Sequence, residues 1–294
     1  MHYGVYLPNF GDYSDLRLLA ELAHDAEVAG WEGCFLWDHI YQWHGQEPFA
    51  DPWMALTAMA LHTERIRLGP LVTPLARRRP WKLARETVTL DHLSGGRLIL
   101  GVGVGAPQAA SLPPEDFGVF GGAVAPHVRA ARMDEGLAVL TGLWSGQPFS
   151  YDGTQYQVHD VCFLPPPVQQ PRIPIWVGGH WPTKAPFRRA ARWDGVFPQG
   201  RQGLSGISQS QNSMNKRLTP VEIRDLVAYI TAHRASATPF EVVYSGQTSG
   251  RDAVEDRAIV TPYAEAGLTW WLENRRNRSL ADMRERIRIG PPQV

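Results

Sequence analysis

Short apolar runs alternate with amphipathic stretches along the chain. YGVYLP (3–8) is the first run. In SDLRLLAELAHDAEVAG, which follows it, Leu18, Leu19, Leu22, Ala23 and Ala26 recur at helical spacing and Gly30 supplies the stop. GCFLW is the second run, and the helix after it opens on Asp51 as N-cap with Pro52 in the first turn. IRLGPLV, RLILGVGVG, PIWVGG, DGVFPQ, FEVVYSG and LTWWLEN continue the series, each ahead of a helical pattern. Thr219, Pro220 and Glu222 form a capping box with proline at the first helical position, which marks a helix start.

Strands alternating with helices imply parallel strands joined by crossover helices. Eight such units over roughly 250 residues predict a closed (β/α)8 TIM barrel, with an open doubly wound sheet as the alternative. The reading is of one barrel domain, 1–294, carrying lid-like insertions at 106–126 and 200–218. Both insertions follow strands, which puts them on the face where barrels carry their chemistry. The irregular stretch SGQPFSYDGTQYQVHDVCFLPPPVQQPRIP is predicted to be a small hairpin turned at Asp152-Gly153. No repeat of fixed period occurs.

Composition narrows the class. The 294 residues are 44% hydrophobic and 20% charged, which is globular, and 29 basic residues balance 29 acidic ones. That balance gives no reason to expect nucleic acid or an anionic membrane as partner. The two cysteines, Cys34 and Cys162, are far apart and form no CxxC pair, which fits a reducing cytoplasm. No leader-like N-terminus and no stretch long enough to span a membrane is seen, so a cytoplasmic location is expected.

The segment LWDHIYQWHG (36–45) starts as a buried strand and ends in Asp38, His39 and Trp43. At the end of the second strand these groups point to the barrel mouth, where His39 can donate, accept or carry a proton near neutral pH. A loop in which Asp38 only caps a turn is the plainer alternative. Gly101, Gly103 and Ala106 have the spacing of a dinucleotide fingerprint, but Pro107 and an irregular segment follow where that motif needs a helix. Gly103 and Gly105 at the strand end either let a ligand approach the backbone or relieve crowding in the barrel. Gly178 and Gly179 end the fifth strand, as a phosphate seat or as a plain turn. Arg77, Arg78 and Arg79 could meet an anionic ligand tail, though a solvated charge run is the expected reading for at least two of them. No HExxH, Walker lysine loop or G-x-S-x-G elbow occurs, and no metal site is expected. A cofactor carrying the chemistry is therefore expected at the mouth.

The run DPWMALTAMALHTERIRLGPLVTPLARRRPWKLARETVTLDHLSGGRLILGVGVG, with DH before it and RMDEGLAVLTGLWSG and PRIPIWVGG after it, resembles the luciferase-like family of flavin- or deazaflavin-dependent oxidoreductases. The resemblance is close over 1–199, and YAEAGLTWWLE fits the last strand more loosely. It implies a tricyclic ring lying across the C-terminal strand ends, behind it a non-prolyl cis peptide at Leu71-Val72, and the cofactor phosphate near Gly178 and Gly179. It also implies two branches, one using FMN with oxygen as monooxygenases and one transferring hydride with coenzyme F-420. Asp38, His39 and Trp43 match the F-420 branch in order, with His39 and Trp43 at the hydride-transfer centre.

In the sugar-phosphate dehydrogenases of that branch a glutamate follows the glycine alternation, whereas this chain has Ala106. His39 is then the proton handler, and reduction of a carbon–carbon or carbon–nitrogen double bond asks less of a second acid. The resemblance thus leads to an expected hydride transfer between F-420 and a small organic substrate. A reduced-FMN monooxygenase is the alternative, and a non-catalytic flavin-binding barrel the remote one. Related barrels commonly form homodimers through their helical faces.

Overall fold

The computed structural model describes residues 1–41, 47–105, 116–122, 125–200, 217–275 and 279–293. Its strands are β1 (His2–Leu7), β2 (Gly33–Leu36), β3 (Arg67–Pro70), β4 (Thr73–Pro74), β5 (Leu100–Gly103), β6 (Pro148–Asp152), β7 (Gln157–Cys162), β8 (Ile175–Trp181), β9 (Gly195–Gly200), β10 (Glu241–Gly246) and β11 (Trp270–Glu273). Between them lie α1 (Leu16–Val28), α2 (Pro52–Leu61), α3 (Pro80–Leu93), α4 (Asp116–Val119), α5 (Pro126–Trp144), α6 (Lys184–Ala190), α7 (Pro220–His233) and α8 (Ala253–Glu265), with α9 (Leu280–Ile289) after the last.

Nine strands form one sheet in the order β3-β2-β1-β11-β10-β9-β8-β5-β4, and every pairing in it is parallel. Its two end strands are halves of one stave, separated only by Leu71 and Val72. The sheet therefore closes on itself. At the upper end Thr73 pairs with Val102, and lower down Leu68 bridges Leu98, with the Ile99 amide donating to the Leu68 carbonyl at 2.8 Å. This is the expected eight-stave barrel, and the open sheet is excluded.

Alternation along each stave sorts the side chains. Val5, Leu7, Cys34, Leu36, Leu100, Val102, Ile175, Val177 and Val196 join the buried layer shared with the helices. Tyr6, Phe35, Trp37, Leu71, Ile99, Trp176, Phe197, Val243, Trp270 and Leu272 fill the lumen. Phe35, Trp176 and Trp270 form a mutually touching trio, with ring centroids 5.3, 5.8 and 5.6 Å apart. Each such ring withdrawn from water contributes on the order of 1.5–3 kcal/mol. This trio is the floor of the barrel. Beneath it, at the N-terminal strand ends, is a cavity of ≈ 680 Å³ whose lining includes Trp176 and Trp270.

Local chemistry sets the helix starts. Asp51 accepts the amides of Trp53 and Met54 at 2.9 and 3.0 Å, and Pro52 needs no partner at the first position. Thr219 and Glu222 form the predicted reciprocal box. The hairpin differs from its prediction. Asp152 still pairs with Gln157, so the connection is the four residues 153–156. Glu135 of α5 stabilises this longer turn by accepting the amides of Thr154, Gln155 and Tyr156 at 3.2, 2.8 and 3.1 Å. Of the expected lid-like segments, 106–115, 123–124 and 201–216 lie outside the described residues.

Candidate functional site

The C-terminal ends of the staves carry the residues singled out from the sequence. Asp38, just past β2, has a fully buried side chain. One carboxylate oxygen accepts the Thr73 hydroxyl at 2.7 Å, and Arg78 reaches both oxygens at 3.1 and 3.0 Å. Arg77 donates to the carboxylate as well, and to the Asp38 carbonyl at 3.1 Å. Two acceptor positions on each oxygen are thereby taken by protein donors. Asp38 thereby ties the end of β2 to β4 and to the turn after it.

The arginine run is correspondingly solvated at Arg79 but not at Arg77 or Arg78. Arg77 and Arg78 are mostly buried, because a buried carboxylate needs cations beside it. Arg79 turns away to lie over the Trp81 ring at 5.8 Å.

His39, half-buried, follows Asp38 between the rings of Trp37 and Phe10, with centroids at 5.7 and 6.2 Å. Its main chain is held by Asn9, a residue the sequence reading passed over. The Asn9 amide donates to the His39 carbonyl at 2.7 Å, and its oxygen accepts the His39 N–H at 3.3 Å. Trp43 lies outside the described residues.

The peptide between Leu71 and Val72 is cis, at the position the resemblance implied. The Leu71 amide donates to the Leu36 carbonyl at 2.7 Å, and the Tyr6 hydroxyl donates to the Leu71 carbonyl. Val72 then sits between the two glycine-bearing staves. A Cβ added to Gly103 would lie 2.7 Å from Val72 Cγ2, and one added to Gly178 2.9 Å from Val72 Cγ1. Both glycines leave room for Val72, which makes the surface between them low and apolar. Gly105, at φ +85°, turns the chain beside the Phe117 ring, which a Cβ there would meet at 2.5 Å. Gly179 makes room for Pro186 of α6.

The staves are of unequal height. Pairing of β5 with β8 stops at Val102 and Val177, whereas β8 and β9 stay paired up to Trp181 and Gly200. Beyond Val177, β8 has no strand on its β5 side among the described residues, so main-chain groups of 178–181 border the mouth. His180 shares the lumen-facing parity of Trp176 and Gly178 and pairs in register with Gln199. The alternation within WVGGHW carried that signal, but the reading stopped at the two glycines.

At the end of β11, Glu273 is buried 3.5 Å from the equally buried Arg286 of α9, and the Thr248 hydroxyl donates to it at 2.7 Å. Burial pushes this carboxyl up by more than Arg286 and Thr248 draw it down. No group of three or more His, Cys, Asp or Glu side chains stands where it could hold a metal ion, among the described residues. Among them too, no helix is long and apolar enough to cross a membrane.

Known proteins resemble this chain in sequence or in fold. An F-420-dependent glucose-6-phosphate dehydrogenase of Microbacterium testaceum is 35% identical over 189 residues, covering 62% of this chain and 50% of that protein. The chain spans about half to two thirds of the length of such curated relatives. An F-420-dependent secondary alcohol dehydrogenase, solved with an F-420–acetone adduct, superposes with a TM-score of 0.72 at 16% identity over 93% of each chain. The oxygenating constituent of 3,6-diketocamphane monooxygenase from Pseudomonas putida, solved with FMN, superposes at 0.64 and 19% identity, over 90% of this chain and 73% of that one. At these identities the two structures show a common fold. The model of one family, luciferase-like monooxygenase, matches residues 1–282, and the chain belongs to that family.

Proposed function

We propose that this protein is an oxidoreductase that transfers a hydride between coenzyme F-420 and a small organic substrate at the C-terminal mouth of its barrel. The observation that carries the reading is the low apolar surface of Val72 between Gly103 and Gly178, with His39, its main chain held by Asn9, just past the end of the neighbouring stave β2. That surface suits the face of a planar tricyclic ring, and the open edge of β8 at Gly178 and Gly179 suits its phosphate. When bound, the cofactor supplies or takes the hydride. His39 then moves the balancing proton, Trp43 borders the substrate, and Asp38 holds β2 in place through Thr73 and the two arginines. Likeness to F-420-dependent dehydrogenases supports this choice of cofactor.

Because Ala106 stands where sugar-phosphate dehydrogenases carry an acid, the substrate class we favour is an activated carbon–carbon or carbon–nitrogen double bond. His39 delivers the one proton that its reduction requires. The chain is taken as one barrel domain with lid-like segments at 106–126 and 200–218. A second copy is its proposed protein partner. α2, PWMALTAMAL, has no charged residue, and it exposes Met54 and Leu61 on its outer face.

A paired titration of tryptophan fluorescence with F-420 and FMN tests the cofactor, followed by assay of reduced F-420 with 2-cyclohexenone. Tight F-420 binding with turnover and no oxygen uptake is the expected result. Preferential FMN binding with oxygen uptake favours the monooxygenase reading, which the shared fold with the FMN-bound camphane enzyme supports. Turnover that survives His39→Ala removes His39 from the reaction. A barrel that binds cofactor and reacts with no donor or acceptor is a binding protein.

A further inference from the structure

We propose that Asn9 is the positioning residue of His39, setting its place at the mouth through the main chain; this rests on the reading of His39 as the proton-handling group. Asn9 follows β1 and is fully buried. Its side chain makes three hydrogen bonds. The amide nitrogen donates to the His39 carbonyl and to the Ala50 carbonyl, both at 2.7 Å, and the amide oxygen accepts the His39 N–H at 3.3 Å. Two carbonyls and one N–H are the complement of a primary amide, with two donors and one acceptor, which also fixes which way the amide is turned. Aspartate would set a charged oxygen against the two carbonyls. Alanine would leave three main-chain groups without their partner.

The side chain holds both ends of the segment that leads from His39 to Ala50. Around it the main chain is paired independently. The Ala50 amide donates to the Asn9 carbonyl at 2.8 Å, the Gly11 amide to the Pro48 carbonyl at 2.9 Å, and Phe10 bridges Phe49. Those bonds survive truncation of the Asn9 side chain, whereas both bonds from it to His39 do not. Loss of the amide is thus felt at the histidine, whose ring lies against Trp37 and Phe10. A proton donor displaced by about 1 Å loses on the order of 100-fold in rate.

The test uses the full chain as Asn9→Ala, Asn9→Asp, His39→Ala and the double variant Asn9→Ala/His39→Ala. The probes are F-420 for binding, reduced F-420 with 2-cyclohexenone for turnover, and the imidazole carbon resonances of histidine-labelled protein, with His39 assigned by its absence in His39→Ala. The expected result for Asn9→Ala is a displaced His39 resonance among ten histidines. With it go a kcat about 10- to 100-fold lower and an F-420 affinity within about threefold of wild type. The double variant should be no slower than His39→Ala alone, because a residue acting through His39 has nothing left to act on.

Asn9→Asp keeps the acceptor for the His39 N–H and serves if the alanine variant does not fold. Its turnover should recover toward acid pH, where the protonated carboxyl again donates to one carbonyl. An unmoved His39 resonance, or losses that multiply in the double variant, overturns the proposal. Turnover insensitive to His39→Ala overturns the functional reading instead. The resonance then still reports whether Asn9 holds the histidine.

Discussion

Arg78 reaches both carboxylate oxygens of Asp38, at 3.1 and 3.0 Å, from a turn on the neighbouring stave. The sequence places these residues in separate motifs, and the barrel makes one ion cluster of them. Asp38→Ala takes a shared buried carboxylate from two mostly buried guanidiniums, a loss expected to cost about 3–5 kcal/mol. Asp38→Ala/Arg78→Met should be milder than the single variant. Urea unfolding of the set checks this, and F-420 titration separates lost stability from lost cofactor contact.

Val72 and its glycine neighbours give a second expectation. Gly103→Ala brings a methyl to 2.7 Å from Val72 Cγ2, and such overpacking costs about 1–3 kcal/mol. It should also weaken F-420 binding by tilting the surface under the ring. Adding Val72→Ala to Gly103→Ala should restore most of the stability. Thermal melts and fluorescence titrations of the three variants decide it.

Acid stability should depend on Glu27. Its carboxylate accepts the amides of Arg65 at 2.6 Å, Ile66 at 2.8 Å and Glu64 at 3.1 Å, binding α1 to the start of β3. Burial pushes the carboxyl up, but these donors outweigh burial and hold it below the ordinary glutamate value. A folded value below the unfolded one stabilises the protein above the unfolded pKa, and the gain is lost as pH falls through the folded value. Glu27→Gln is therefore expected to cost about 1–3 kcal/mol near pH 7 and progressively less as the pH falls below the ordinary glutamate range. Urea midpoints across that range give the difference directly.

Self-association should respond to α2. Met54→Glu and Leu61→Glu each place a charge on its uncharged outer face, and the dimer dissociation constant should rise about tenfold or more, at least 1.4 kcal/mol. Sedimentation velocity over a dilution series reads this. A wild-type protein that sediments as a monomer throughout would rule out the second copy as partner.

The staves were legible because each is a compact apolar run between helical patterns, and the helix starts because Asp51 and Thr219 act locally. The placement of His39 at the mouth followed from the strand end that precedes it, and the cis position from the family resemblance. Contacts between staves were not legible. Arg77 and Arg78 read as solvated because Asp38 belongs to another strand. Whether Gly103 and Gly178 served a ligand or relieved crowding stayed open because Val72 approaches them only once the barrel closes. Asn9 was missed because a single asparagine after a strand reads as a turn former, and its three partners are brought to it by tertiary structure. Trp43 and most of both lid-like segments lie beyond what the structure describes.

The layer of Phe35, Trp176 and Trp270 closes the barrel below, so a ligand resting on Val72 has its approach from the C-terminal ends of the staves. Approach from one side imposes an order on the occupants. Whatever rests against Val72 goes in first and comes out last, and the substrate comes and goes over it. Turnover should follow a compulsory order, with the cofactor leading.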